Sequence, residues 1–397
     1  MVVKNIFESK VIDRIVVFTL FFILFWFIIK YLPADMKLHI DAIVRVNNGQ
    51  ESYSPHFLFF FIVNFLSFFS NNISLMIFVT AVVLALASLG KYLITDRMIS
   101  DVGLGIQEKY KATVIKMISF ALLFCFAIPD VYSFFVLKMM YLGRTPSMVW
   151  HNSTIITVFP FAILLFWKQL RIFDNNYEKL FHKDIMIVSL LVIINILIKP
   201  SFVFVYIPVT ALFILKHFDI RNYKDFLIKI FPIVLGAIVI LIQFISIYYN
   251  TSESLKVDNN SIAIGTPFEF IRNFIPSWYI PFAFIFSFAF PIIVASLYKE
   301  ILKYLPFVYS VYLAIFGILV SAFFIEDGSR KFHGNFTWQN IVCAYMVFLS
   351  TVLFLVSKHS EKRDFSRKMF IVWGVLLLHF LSGVLYLFKM YFTGSYI

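Results

Sequence analysis

The sequence predicts an all-α, polytopic helical bundle embedded in a membrane, and three observations carry that prediction. The 397 residues are 61% hydrophobic and only 14% charged, against about 45–50% and about 25% in soluble domains. Aromatic residues make up 20% of the chain, and its 52 phenylalanines crowd into runs such as 57-FLFFFIVNFLSFF-69. The apolar residues also fall into separate stretches, many of them close to the 20 or so residues that a spanning helix needs. This pattern excludes a soluble cytoplasmic enzyme, a nucleic-acid-binding module and a disulfide-stapled secreted scaffold. Cys125 and Cys343 both lie in apolar stretches and read as small core residues.

Taken in order, the candidate spans are 15–32, 57–70, 73–95, 114–137, 153–168, 185–198, 202–215, 226–248, 277–298, 306–325, 338–357 and 370–388. The first is too long and too aromatic for the apolar core of a signal peptide and lacks a small-residue cleavage site, so it reads as a spanning helix. The segments 57–70, 185–198 and 202–215 are short for a crossing and read as broken or re-entrant helices, which survive only where protein or a water-filled cavity covers their free backbone. The expected count is about 10–12 spans. The chain shows no internal repeat and no Gly/Ser linker, so residues 1–397 read as a single integral domain.

Lysine and arginine give the expected orientation, because they accumulate in cytoplasmic loops. The loops 1–14, 91–116, 168–183, 216–229, 299–303 and 358–368 hold 23 of the 34 basic residues. The opposite set, including the outer loops 33–56, 138–152, 250–276 and 326–337, holds the other 11. The formal charge of +12 is therefore mostly topology and needs no nucleic-acid partner. With the amino terminus on the cytoplasmic side, residues 57–95 must cross an odd number of times, although they read as two helices.

The less basic face is richer in polar clusters: 35-DMKLHID-41, 53-YSPH-56, 143-GRTPSMVWHNST-154, 198-IKPS-201 and 326-EDGSRKFHGNFTWQ-339. A scaffold has no use for such clusters in separate loops on one side, so they point to a site opening there. Residues 34–46 read as an amphipathic helix lying in the interface, with Met36, Ile40, Ile43 and Val44 as its apolar stripe. Asp35 and His39, four apart, share another face. Asp35 also suits a helix N-terminus. Asp41 has Lys37 and Arg45 at helical spacing and suits ordinary surface ion pairs.

The order Asp35, Gly49, Tyr53, Pro55, His56, after a first spanning helix, resembles the acid…Gly…Tyr…His-Pro run of the C-type glycosyltransferase (GT-C) superfamily. The resemblance covers the first 100 residues best, and 140–154 and 326–338 more loosely. It implies a GT-C-like bundle that uses a polyprenyl-phosphate-linked sugar donor on the extracytoplasmic face, with the first-loop acid (Asp35, or Asp41 further along) as catalytic base. Met36 stands where the family often has a second acid, and 138–152 lacks the acid of metal-dependent members. A divalent metal stays possible, and no metal ligand is assigned.

Such a transfer needs a carboxylate to take the acceptor's proton and cations or donors to hold the phosphate leaving group. Lys199, between two short apolar segments, is the first candidate for that second role, since an intramembrane lysine is functional or paired by default. Lipid-headgroup contact is its plainer reading. Arg144 and Arg330 suit bidentate phosphate contact. His39, His56, His151, Asn152, Glu326, His333 and Asn335 complete the candidate substrate-binding set. Trp150 and Trp338 read equally as sugar platforms or as interfacial belt residues. Asp35, His56, His151, Lys199 and Arg330 are expected to line one outward cavity. A zinc site from His39, His56, His151 and His333 lacks the usual His-x₃₋₅-His pair.

The sequence thus predicts a multi-pass enzyme of a bacterial cytoplasmic membrane. It would transfer sugar from a polyprenyl phosphate to a glycan or lipid acceptor of the cell envelope. A polysaccharide polymerase or ligase is the nearest alternative, and a lipid-linked glycan flippase or transporter is the non-enzymatic one.

Overall fold

A computed structural model describes residues 2–103, 108–216, 218–248, 261–328, 331, 333–361 and 366–395. In chain order the helices are α1 (Val2–Tyr31), α2 (Asp35–Asn47), α3 (Leu58–Leu66), α4 (Ile73–Val102), α5 (Glu108–Phe124), α6 (Ser153–Asp174), α7 (Lys183–Ile198), α8 (Ser201–Lys216) and α9 (Tyr223–Tyr248). There follow α10 (Glu269–Arg272), α11 (Ile280–Ser287), α12 (Ala289–Leu297), α13 (Leu305–Phe323), α14 (Trp338–Glu361) and α15 (Arg367–Thr393). Two short strands, β1 (Ser261–Ile264) and β2 (Phe324–Asp327), pair antiparallel from Ser261↔Asp327 to Ile264↔Phe324. They tie two of the loops predicted on one face into a ribbon.

Among the described residues, seven helices are long and apolar enough to cross a membrane, or eight when the bent pair α11/α12 is counted as one span. The chain is a multi-pass membrane helical bundle. The expected 10–12 crossings would also need α5, α7 and α8, which have 17, 16 and 16 residues and reach about 24–26 Å against a hydrocarbon core of about 30 Å. The parity problem has a simple answer. α3 has 9 residues, about 14 Å of helix, so only α4 of this region is long enough to cross.

Three expected boundaries are corrected. The span drawn over 114–137 stops at Phe124 and continues as irregular chain through 130, followed by a short π-helical turn, Tyr132–Leu137. Pro129 removes an N–H and crowds the carbonyl four residues back, which disfavours helix here, although α6, α8 and α9 run through Pro160, Pro208 and Pro232. The span drawn over 277–298 breaks at Phe288, where its halves bend by 66°. Pro291 cannot bond back to Ser287, which breaks the ladder at that turn. α4, drawn to residue 95, runs on to Val102 and carries Lys91, assigned above to a loop, into the interior at 1% exposure.

The two interrupted segments meet at α15. His379 Nδ1 donates to the Phe126 carbonyl (2.6 Å) and Nε2 accepts from the Phe290 amide (3.2 Å). One neutral imidazole thereby satisfies a carbonyl of the irregular stretch and an orphan amide at the start of α12. Ser382 Oγ donates to the Ala127 carbonyl (2.5 Å). Gly383 lets the backbones touch, since a Cβ there would overlap the Phe124 carbonyl. Cys125 and Cys343 are buried free thiols, as expected.

Candidate active site at one end of the bundle

α2 forms as its pattern predicts, with Met36, Ile40 and Ile43 buried against the bundle. Its N-cap, Ala34, supplies no side-chain bond, so Asp35 in the first turn offsets the positive end of the helix dipole. α6 begins at the other wall of the site. Its N-cap is Asn152, whose Oδ1 accepts from the Ile155 amide (3.1 Å) and from Thr154 Oγ1 (2.9 Å). Because capping takes the oxygen, the amide nitrogen faces outward and donates to Asp35 Oδ2 at 2.8 Å.

Lys199 enters from the corner between α7 and α8. Pro200 disfavours helical backbone in the residue before it, and Lys199 is extended (φ −164°, ψ 112°). Its Nζ donates to Thr154 Oγ1 (3.2 Å) and lies 5.1 Å from the ring centre of Trp338. A continuous polar chain therefore runs Lys199–Thr154–Asn152–Asp35. It joins a candidate phosphate-holding cation to a candidate base through two residues at the start of one helix.

Two histidines complete this wall. His151 is 2% exposed, and its ring packs against Tyr141 (4.9 Å) and Trp338 (5.9 Å). Burial pushes its imidazole down to about 4, against the opposing pull of Asp35. His39, against Phe59 and Phe60, is lowered to about 3 by burial, then by Lys199 and His56, with Asp35 again opposing. Both rings are neutral at pH 7. Lys199 is brought down to about 8 by burial, with Asp35 and Glu326 working to keep its charge.

Asp35, His39, His151, Asn152, Lys199 and Trp338 thus gather from α2, the 138–152 loop, the α7/α8 corner and the start of α14. His56 interacts with His39 and stacks edge-on to Phe60. The Tyr-x-Pro-His segment is held by Asn64 Nδ2 donating to the Tyr53 hydroxyl (2.5 Å) and Gln243 donating to the Pro55 carbonyl (2.8 Å). Glu326 acts on Lys199 through space and accepts from Asn335 Nδ2 at 2.6 Å. It lines a small recess with Lys331, Asn335 and Thr337. His333 is exposed at this rim, and Arg330 lies outside the described residues.

Other candidates stand elsewhere. Asp41 is exposed, about 240° round α2 from Asp35, and Arg45 pairs with Glu51 at 2.7 Å rather than with it. Trp150 is neither belt nor platform: it is 0% exposed, between Phe21 (5.8 Å) and Phe124 (5.3 Å). Arg144, expected to hold phosphate, spends its guanidinium on the Ile128 carbonyl (2.6 Å), Asp130 (2.5 Å), the Tyr279 hydroxyl (2.9 Å) and Ser133. It pins the interrupted stretch after α5 to the start of α11. Thr154, the middle link of the polar chain, was not singled out from sequence, although a Thr two residues past an N-cap Asn was a legible signal.

Among the described residues no three His, Cys, Asp or Glu side chains gather as a metal site. Comparison with protein-family models, curated proteins and solved structures finds no match.

Proposed function

We propose that the chain is a GT-C-like membrane glycosyltransferase that takes sugar from a polyprenyl-phosphate donor, with its site on the extracytoplasmic face. The observation that carries this reading is the chain Lys199–Thr154–Asn152–Asp35. Among the described residues no hydrogen bond reaches Asp35 Oδ1, which leaves that oxygen to take the acceptor hydroxyl's proton. Lys199 offers charge to the departing phosphate and is backed by the buried Trp338 ring. Asn152 fixes the carboxylate, and His39 and His151 add neutral imidazoles that donate or accept. An open apolar groove of about 350 Å³ between α8 and α9, lined by Phe204, Ile207, Pro208, Ile240, Leu241 and Phe244, begins five residues, about 7.5 Å of helix, beyond Lys199. That position suits the hydrocarbon chain of a lipid whose phosphate reaches Lys199.

The test is transfer by purified protein in nanodiscs from a panel of polyprenyl-phosphate sugars to extracted envelope glycans and lipids. Turnover with one donor and none with nucleotide sugars is expected. Turnover with nucleotide sugars alone would overturn the donor assignment.

A lipid-linked glycan flippase or other transporter is the second reading. It draws on the two interrupted segments that meet at His379, because transporters bind substrate where spanning helices are broken. Donor-independent movement of a lipid-linked glycan across proteoliposomes, unaffected by Asp35→Asn, would favour it.

A further inference from the structure

Among the described residues, Lys91 is the one strongly buried lysine that the proposed chemistry does not use. It is 1% exposed within α4, and its Nζ lies 3.8 Å from the ring centres of both Phe159 and Tyr345 and 3.2 Å from Met148 Sδ. The two rings meet at 78° and form a corner, and the Tyr345 hydroxyl is fixed by Thr95 at 2.6 Å. Among the described residues no carboxylate pairs with this amino group. An apolar side chain of the same length would fill the corner without burying a polar group, so packing alone does not require an amine here. What the nitrogen adds is its bond to Met148 Sδ.

What it grips is the 143–152 segment. This stretch is buried but irregular, and among the described residues only one of its N–H groups, that of Arg144, bonds to a backbone carbonyl. Side chains must hold it instead: Ser147 Oγ donates to the Cys125 carbonyl (2.7 Å), Trp150 sits between Phe21 and Phe124, and Lys91 takes Met148. Three residues beyond Met148 is His151, and four beyond is Asn152, which holds Asp35.

We propose that Lys91 is a positioning residue: its amino group, seated between two aromatic rings and donating to Met148 Sδ, fixes Met148 and so sets the register of His151 and Asn152 against Asp35. Its activity readout rests on the transferase reading, but its structural readout does not. Lys91→Met keeps the length and removes the amine donor, and Met148→Leu keeps the volume and removes the sulfur acceptor. Both are compared with wild type by hydrogen–deuterium exchange across 143–152, by thermal stability and by steady-state transfer. In Lys91→Met, exchange of 143–152 should rise several-fold while the melting temperature holds or rises. kcat should fall by about tenfold or more, as expected when reacting groups drift by a fraction of an ångström, with the donor KM little changed. Unchanged exchange overturns the proposal, as does a fall in melting temperature that tracks the exchange, or unchanged transfer by an otherwise active enzyme. If Lys91→Met does not fold, Met148→Leu decides by the same exchange criterion. Faster exchange in a protein whose wild type transfers from no donor supports the positioning role and removes the transferase reading alone.

Discussion

Replacing Asp35 by Asn separates the carboxylate's chemistry from its structural bond. The new amide oxygen still accepts from Asn152, so the contact at 2.8 Å survives with a neutral acceptor. The difference between charged and neutral hydrogen bonds is about 1 kcal/mol, which a folded bundle tolerates. The lost proton acceptor costs far more: general-base assistance is worth about 10²–10⁴-fold, or about 2.7–5.5 kcal/mol of barrier. One confounding effect must be removed. Asp35 helps keep Lys199 charged, so the substitution pushes the Lys199 pKa below 8, and at pH 8 an activity loss would mix a missing base with a missing cation. At pH 6.5 the ammonium stays largely protonated and the base is isolated.

The assay is single-turnover transfer at pH 6.5 in nanodiscs, with Asp41→Asn in parallel. Asp35→Asn should lose at least about 10²-fold, with unchanged expression and size-exclusion profile. The exposed Asp41 should be replaceable at no cost. An Asp35→Asn enzyme within threefold of wild type would refute the assignment of the base. A dead Asp41→Asn beside it would move the base six residues along α2.

Four further outcomes follow from the same geometry. Activity should decline above about pH 8 as Lys199 loses its proton, and Lys199→Arg should extend it to higher pH; a flat wild-type profile through pH 9.5 would count against Lys199 as the phosphate holder. Stability should fall as pH drops from about 6.5 toward 4, because the unfolded chain binds protons that His39 and His151, lowered to about 3 and about 4, refuse when folded. The slope is up to about 1.4 kcal/mol per pH unit for each ring, and thermal inactivation of a His39→Gln, His151→Gln double variant should be visibly flatter; an equal slope sinks the argument. Asn152→Ser retains a capping hydroxyl but cannot span to Asp35, so it should melt near wild type and transfer poorly, whereas Asn152→Ala should lose about 1 kcal/mol as well; equal transfer in Asn152→Ser and wild type would dismiss the Asn152–Asp35 bond. A cysteine at Gln50 should react with an impermeant thiol reagent from outside cells and one at Asn176 should not; the reverse would put the site in the cytoplasm.

What the sequence made legible was the chemistry of one end of the bundle. Polar residues that no lipid-facing surface tolerates stood in separate loops of one predicted face, and burial brings Asp35, His151, Asn152, Lys199 and Trp338 together. The α2 stripe was legible because its period is local. Hydropathy alone misled where the chain stayed apolar without staying helical, as at 125–130, although Pro129 marked the interruption. The opposite error occurred at Lys91, where a charge near the end of the span drawn over 73–95 is counted with the loop 91–116, although the helix continues to Val102. Arg144 could not have been placed from sequence, because its partners Asp130 and Tyr279 are 14 and 135 residues away. Nothing local distinguishes an arginine that binds phosphate from one that is already paired.

The short helices and the buried site have a common physical cause. α7 and α8 each reach about 24 Å, so when their far ends lie at the surface of a slab about 30 Å thick their shared corner stops about 6 Å inside it. An exposed corner there would leave backbone groups unsatisfied in lipid. Instead Thr154 and Trp338 cover Lys199, and Ser201, the next residue after Pro200, is already helical. The same depth lowers the Lys199 pKa and strengthens its attraction for an anion, because both effects grow as the effective dielectric falls. Lengthening α7 and α8 by one turn each, with Ala inserted in both, would raise the corner by about 5.4 Å. It would solvate Lys199 and part it from Thr154. Lys199 should then titrate near the ordinary lysine value, and the alkaline limit of activity should vanish together with most of the activity. A lengthened pair that kept the limit near pH 8 would show that depth is not what tunes this lysine.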